Sequence, residues 1–172
     1  MKRADSAVDP TVALKCELAA EVLRSFGKLR FAATGWSMLP SVWPGETLVV
    51  ERASNDRVRL GDIVLVDRGQ RLRAHRVIAK AGDSANPQWI TQGDALPTPD
   101  NPVSKSELLG RVAYVIRRGK LTALDAELSA GGKLIAKIVR RSTSAARALV
   151  YLTFMRRRLG QTSEKSVLPC QV

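Results

Sequence analysis

Between residues 47 and 117 the chain consists of short runs of β-branched and apolar residues that are separated by turn-forming residues. The runs are shorter than ordinary helices, and their residue types favour extended backbone. The predicted strands are Thr47–Glu51, Asp62–Val66, Arg71–Ile78, Gln88–Thr91 and Arg111–Arg117. In the last strand, alternation places Val112, Tyr114 and Ile116 on one face. This pattern predicts a mainly β domain of antiparallel sheets.

Helical patterns flank this β-rich region on both sides. Asp9-Pro10 is a typical helix start, and an apolar stripe that recurs every four residues predicts an amphipathic helix ending near Gly27. From about Thr122 the period is helical again, and Gly131-Gly132 is predicted to break a first short helix. In the N-terminal helix the stripe comprises Leu14, Leu18, Val22 and Phe26, with Ala19 and Leu23 beside it. After the two glycines the stripe comprises Leu134, Ile135, Ile138 and Val139 beside Lys133, Lys137, Arg140 and Arg141. The chain is therefore α+β overall.

We divide the chain at the changes of pattern. Residues 1–27 form the N-terminal amphipathic helix, 28–120 the β domain, 121–160 a basic helical tail that closes with three arginines, and 161–172 a disordered C-terminus. Cys16 and Cys170 are interpreted as free thiols of a reducing compartment. The residues before the first helix lack the apolar core of a secretion signal, and no window is apolar enough to span a bilayer. We therefore expect a cytoplasmic protein that lies, at most, on the inner face of the membrane.

The basic charge is concentrated towards the C-terminus. The net charge is +12; residues 1–120 hold 19 basic and 13 acidic side chains, whereas residues 121–172 hold 9 and 3. The shorter part thus carries half of the excess, which favours contact with an anionic surface, although a solvated charged face explains the pattern equally well.

A serine, a histidine and aspartates occur in short unusual blocks. Ser37 lies in Gly35-Trp36-Ser37-Met38-Leu39-Pro40, His75 is the only histidine of the chain, and Asp94 and Asp100 follow it, with Pro97, Pro99 and Pro102 extending the loop around Asp100. A serine hydroxyl needs an adjacent base to become a nucleophile, a histidine can supply that base, and a carboxylate can orient the imidazole. Each residue alone would be interpreted as structural, but together they predict a catalytic triad.

The segment from about residue 30 to 118 resembles the type I signal peptidases and the related self-cleaving repressors of the DNA-damage response. The resemblance is carried by six short motifs in order: Gly35–Pro40, Pro44-Gly45-Glu46 with Leu48-Val49-Val50, Gly61-Asp62-Ile63-Val64, His75-Arg76-Val77, Gly93-Asp94 and Gly110-Arg111-Val112. A histidine before the Arg-Val pair is similar to the endoplasmic-reticulum and archaeal subtype, in which an aspartate six residues after the Gly-Asp pair completes the triad. The resemblance therefore implies the fold of that family, with Ser37, His75 and Asp100 as catalytic residues.

The resemblance also assigns supporting roles and shows three departures. Asp94 is expected to support its loop through local turn bonds, and Met38 and Leu39 to line the substrate cleft or to pack in the core, with Pro40 closing the motif. An amphipathic helix stands where the family has a membrane anchor, and Glu46 stands where aspartate is common. Gly35 stands where many members have a serine that binds the oxyanion, so that task would fall to backbone N–H groups, including that of Ser37, with Thr34 as a candidate side chain.

The leading hypothesis is a serine endopeptidase that cleaves a peptide or protein precursor after small residues through an acyl-enzyme, with the substrate added as a strand to a sheet edge. The alternative is an inactive or weakly active peptidase fold that binds peptides and attaches to a membrane or a partner through its basic tail. A self-cleaving regulator is disfavoured because only about 35 residues precede Ser37. We expect no cofactor, no metal and no specific binding of nucleic acid. We do expect peripheral contact with an anionic membrane.

Overall fold

Seven antiparallel strands form one sheet in the computed structural model, which describes residues 10–53, 57–68, 71–83 and 85–141. Within these ranges the sheet is flanked by one helix before it and one after it. The helices are α1 (Pro10–Phe26) and α2 (Ala130–Arg141); the strands are β1 (Lys28–Ala32), β2 (Thr47–Glu51), β3 (Ile63–Asp67), β4 (Leu72–Gly82), β5 (Pro87–Gln92), β6 (Leu108–Arg117) and β7 (Lys120–Ala123). The predictions for residues 1–9 and 142–172, including the end of the basic tail, Cys170 and the C-terminus at 161–172, lie outside the described residues.

The spatial order of the strands is β1-β2-β6-β3-β4-β5, and β7 pairs with β6 as well. Every pairing is antiparallel, and all five predicted strands are present, with β4, β5 and β6 longer than predicted. Two strands were not predicted. β1 and β7 are short and partly charged, and they lack the continuous runs of β-branched residues that mark the central strands.

Helix α1 packs on the sheet mainly through residues beside its four-residue apolar stripe. Cys16, Ala19, Ala20 and Leu23 are buried, whereas Leu14, Leu18 and Phe26 of the four-residue stripe are exposed. The predicted helix is present, with its end at Phe26. Small side chains let the helix approach the sheet closely. Gly110 of β6 extends this close approach, because a Cβ at that position would lie 2.9 Å from a Leu23 methyl group and 2.5 Å from the Glu51 carbonyl oxygen.

A β-bulge interrupts the alternation of β6. The pairing of β6 with β2 shifts between Val49 and Val50, where Val49 faces Tyr114 and Val50 faces Val112. Val112 and Val115 are consequently buried, while Tyr114 is exposed. The prediction that Val112, Tyr114 and Ile116 share one face of the strand is therefore wrong. The extra residue of the bulge reverses the direction of the side chains that follow Val112.

The second helix also departs from its predicted start. Gly131 and Gly132 lie in the first turn of α2 and do not end a preceding helix; Ser129 accepts the amide hydrogen of Lys133 through its carbonyl oxygen (N···O 2.8 Å) and that of Gly132 through its hydroxyl oxygen (3.2 Å). The start of the predicted helical tail is a strand instead. β7 spans Lys120–Ala123 and crosses the predicted domain boundary after residue 120.

Candidate active site

Ser37 lies in a tight turn that follows β1. The turn is closed by two backbone hydrogen bonds, from Leu39 to the Trp36 carbonyl (3.1 Å) and from Val42 to the Met38 carbonyl (2.9 Å), and the Leu39-Pro40 peptide is cis. Met38 and Leu39 point into the protein and are buried. The apolar residues of the motif thus fix the turn that presents the serine at the surface of the cleft.

His75 projects from β4 towards Ser37. It faces Val64 of β3 in the sheet register and its side chain is 5% exposed. The distance from His75 Nε2 to Ser37 Oγ is 3.2 Å, and the distance from His75 Nδ1 to Asp100 Oδ2 is 2.5 Å. With the proton on Nδ1, the imidazole donates to the carboxylate and accepts from the serine hydroxyl, which is the arrangement of a serine nucleophile with its base.

Asp100 is held in place by strand β5. Its amide donates to the Thr91 carbonyl oxygen (2.8 Å), and the Thr91 hydroxyl donates to Asp100 Oδ2 (2.7 Å). Downstream, Trp89 and Val103 exchange two backbone hydrogen bonds that tie the proline-rich loop to the same strand. Burial alone would raise the pKa of Asp100, but the hydrogen bonds from His75 and Thr91 outweigh it, so the pKa lies below its ordinary value.

The Gly93-Asp94 turn packs directly on the backbone of the nucleophile. A Cβ at position 93 would lie 2.7 Å from the Ser37 carbonyl oxygen, and the amide of Ala95 donates to the same oxygen (2.8 Å). Glycine at position 93 therefore allows the turn to approach the serine and to fix its main chain.

The carboxylate of Asp94 has distant partners, so the prediction of local turn bonds was wrong. Arg76 Nε and Nη2 donate to its two oxygens at 2.9 Å each, and the Ser41 hydroxyl also donates to it. Both charged residues are buried. This ion pair joins the strand that carries His75 to the turn that carries Ser37, because Ser41 is bound by both side chains.

Arg76 and Thr91 are site residues that the sequence reasoning did not select. Arg76 was visible as part of the His-Arg-Val motif, and it also binds the carbonyl oxygens of Gly61, Asp125 and Ala126. Nothing in the sequence pattern marked Thr91 as a site residue, because its contact with Asp100 depends on the return of the loop to β5. The structure brings Ser37, His75 and Asp100 together and places Asp94 beside them as a buried structural partner.

A cleft of about 320 Å³ opens beside Ser37 and His75. Its walls come from β1, β2, the serine turn, the first half of β4 and the loop after β5, and they are mostly apolar. The lining includes Phe31, Ala33, Thr34, Gly35, Met38, Val42, Leu48, Leu72, Arg73, Ala74 and Leu96. Met38 lines the cleft and also belongs to the core, whereas Leu39 packs against Ala95 and Val139 behind the turn.

No known family model matches the chain, and its comparison with curated proteins gives no match. In the described part of the chain, no group of three His, Cys, Asp or Glu side chains is arranged to hold a metal ion. No helix within the described ranges is long and apolar enough to cross a membrane.

Proposed function

We propose that this chain is a serine endopeptidase of the signal-peptidase type, which cleaves a peptide or protein precursor through an acyl-enzyme. The observation that carries the proposal is the hydrogen-bonded series Ser37–His75–Asp100, with distances of 3.2 and 2.5 Å between side chains from three separate parts of the sequence. A mostly apolar cleft ends at this series. Packing of a β domain does not require a serine, a histidine and a carboxylate that are hydrogen-bonded to one another in this order, whereas nucleophilic catalysis does.

In the proposed mechanism, His75 Nε2 takes the proton of the Ser37 hydroxyl as Oγ attacks the carbonyl carbon of the scissile bond. Asp100 keeps the imidazole in the tautomer that can accept this proton and stabilises the imidazolium that forms. His75 then returns the proton to the leaving amine. Water attacks the resulting ester by the same route in reverse, which frees the acid product and restores the serine.

The oxyanion of the tetrahedral intermediate would be bound by the backbone of the serine turn. Among the described residues, neither the amide of Ser37 nor the hydroxyl of Thr34 donates a hydrogen bond, so both donors are free to bind a developing negative charge. Gly35 lines the same cleft, and a Cβ added to it would meet no atom within 4 Å, so the carbonyl group of a substrate has room there.

Two free strand edges border the cleft and suit an extended peptide. β1 lies at the end of the sheet, and β4 pairs with β5 only from Arg76 onwards, so Leu72, Arg73 and Ala74 have no strand partner on their second side within the described residues. A peptide that added a strand here would carry its scissile bond past Ser37. The cleft holds only about 320 Å³ and its lining includes Ala33, Met38 and Ala74, which supports cleavage after small apolar residues.

Labelling with a fluorophosphonate tests the nucleophile without knowledge of the substrate, because the reagent forms a covalent bond only with an activated serine. We expect the wild-type chain to be labelled at Ser37, and Ser37→Ala and His75→Ala to lose labelling while they keep the thermal melting of the wild type. Ser25→Ala, which alters an exposed serine of α1, is the matched control and should be labelled normally. Labelling of Ser37→Ala at the wild-type rate would exclude a catalytic role for this serine.

A further inference from the structure

The cleft beside Ser37 contains one permanent charge. Among its described lining residues Arg73 is the only lysine or arginine, and none is aspartate or glutamate. No carboxylate of the described residues lies within salt-bridge distance of the Arg73 guanidinium, in contrast to Arg68, Arg76 and Arg117. Arg73 is exposed at the cleft and has no acidic partner there, so its hydrogen-bond donors are available to a ligand.

Arg73 lies close to the reacting atoms. It precedes His75 by two residues on β4, so both side chains leave the same face of the strand, with Cα atoms about 7 Å apart. His75 is buried against Asp100, whereas Arg73 is exposed to the cleft. The positive charge of Arg73 also contributes to the lowered pKa of Asp100, which agrees with a guanidinium near the catalytic groups.

The free edge of β4 determines where a substrate side chain would meet this charge. A peptide that pairs with Leu72–Ala74 advances about 3.4 Å per residue and presents alternate side chains to the face that carries Arg73 and His75. A carboxylate on the peptide within about two residues of the scissile bond is therefore within reach of the guanidinium. Arginine and carboxylate groups match in shape and form two parallel hydrogen bonds.

We infer that Arg73 is a specificity-determining residue that selects peptides with aspartate or glutamate within about two residues of the bond that is cut. This inference rests on the proposed peptidase function and adds the charge of the substrate to it. A solvent-exposed ion pair of this kind corresponds to a preference of up to about fivefold in kcat/KM over the amide analogue.

Arg73 could instead act only on Asp100, as a charge that stabilises the catalytic carboxylate. In that case its replacement would slow the cleavage of acidic and neutral peptides by the same factor. Selection of the substrate changes the ratio of the two rates, so the ratio is the quantity that separates the roles.

The test uses a library of peptides from a digested proteome, with mass spectrometry to identify the bonds that are cut. Wild type, Arg73→Gln, Arg73→Glu, Ser37→Ala and Lys80→Glu are compared. Lys80→Glu is the matched control, since it makes the same charge change on an exposed residue of β4 that does not line the cleft. We expect Ser37-dependent cut sites of the wild type and of Lys80→Glu to be enriched in acidic residues close to the cut, Arg73→Gln to lose this enrichment, and Arg73→Glu to favour lysine and arginine instead.

The two possible failures give different results. Ser37-dependent cleavage with the same sequence preference in wild type and Arg73→Glu would overturn the inference and leave the peptidase function standing. Cleavage that is equal in wild type and Ser37→Ala, together with absent fluorophosphonate labelling, would overturn the proposed function and the inference with it.

Discussion

Asp100 and Asp94 lie in the same loop but interact with different parts of the site. Asp100 contacts the imidazole of His75 and the hydroxyl of Thr91, whereas Asp94 pairs with the guanidinium of Arg76. We predict that Asp100→Asn cuts turnover by up to about 10⁴-fold, because an amide does not hold the imidazole in the productive tautomer. The measurement is the rate of fluorophosphonate labelling or of peptide cleavage. A rate within a factor of about ten of the wild type would show that Asp100 is not the third member of the triad.

The same variant has a pH-dependent effect on stability. The pKa of Asp100 is lowered in the folded protein, so its ionised form stabilises the fold above the ordinary carboxyl range, and this contribution is lost as the pH falls through the lowered pKa. The difference in free energy of unfolding between wild type and Asp100→Asn should therefore be largest near neutral pH and shrink in acid. Denaturant unfolding at several pH values measures it, and a difference that grows in acid would contradict the prediction.

Asp94→Asn is predicted to act mainly on stability. It leaves the buried guanidinium of Arg76 without its anionic partner, which costs about 3 kcal/mol in the free energy of unfolding. At temperatures where the variant stays folded, labelling of Ser37 should fall much less than in Asp100→Asn. If instead Asp94→Asn melted like the wild type and lost labelling, Asp94 would be the catalytic carboxylate.

At the residue scale, the sequence predicted the members of the site better than their partners. Ser37, His75 and Asp100 were identifiable because nucleophile, base and carboxylate are needed together, and their spacing fitted a known arrangement. The role of Asp94 was misjudged because its ion-pair partner, Arg76, is 18 positions away in the sequence. Only the pairing of β4 and β5 brings the two side chains together. Thr91 was missed because only the return of the loop to β5 brings Asp100 to it.

At the scale of the element, the face of a helix that packs on a sheet depends on shape as well as on hydrophobicity. The stripe of large residues in α1 had the regular spacing of a buried face, yet Leu18 is 61% exposed and Leu23 is 1% exposed. Small residues on the helix allow a close approach, and Gly110 of β6 leaves room for the Leu23 side chain on the sheet. The sequence of the helix alone cannot show where its partner leaves such room. The bulge in β6 had the same effect on Tyr114, since an extra residue in one strand is defined only by its neighbour.

This interpretation predicts opposite results for two leucines of α1. Leu23→Ala should lower the free energy of unfolding by about 2–5 kcal/mol, because it leaves a cavity between the helix and Val50 and Val112. Leu18→Ala makes the same chemical change at an exposed position and should stay within about 0.5 kcal/mol of the wild type. Urea unfolding of both variants provides the comparison. Equal losses would show that the stripe of α1 is buried by another part of the protein.

At the scale of the whole molecule, α2 packs against the loop that carries Asp94. Val139 is 2% exposed and packs against Leu39 and Ala95, and Arg140 donates two hydrogen bonds to the carbonyl oxygen of Asp94 at 2.9 and 3.1 Å. The predicted apolar stripe is thus divided. Val139 and part of Ile135 face the β domain, whereas Leu134 and Ile138 are 60% and 52% exposed beside Lys133 and Lys137.

The outer face of α2 has the composition of a helix that lies on a lipid surface. Apolar side chains flanked by lysines can enter the headgroup region while the ammonium groups meet anionic lipids, each cation contributing about 1 kcal/mol. Salt weakens this attraction, because exposed charges are screened. If the chain acts on precursors at a membrane, contact through this face would hold the cleft near the surface, since the same helix is hydrogen-bonded to the loop of Asp94.

We predict that the chain floats with anionic vesicles at low salt and that Leu134→Glu/Ile138→Glu abolishes flotation. A truncation after Lys120 would also remove most of β7, so point variants isolate the helix more cleanly. Leu60→Glu/Leu121→Glu is the matched control, because Leu60 and Leu121 are about as exposed as Leu134 and Ile138 and the charge change is the same. The control should float like the wild type, and neutral vesicles should bind none of the three proteins, because the lysines then lack anionic headgroups. Flotation of Leu134→Glu/Ile138→Glu at the wild-type level would show that this face of α2 does not bind the membrane.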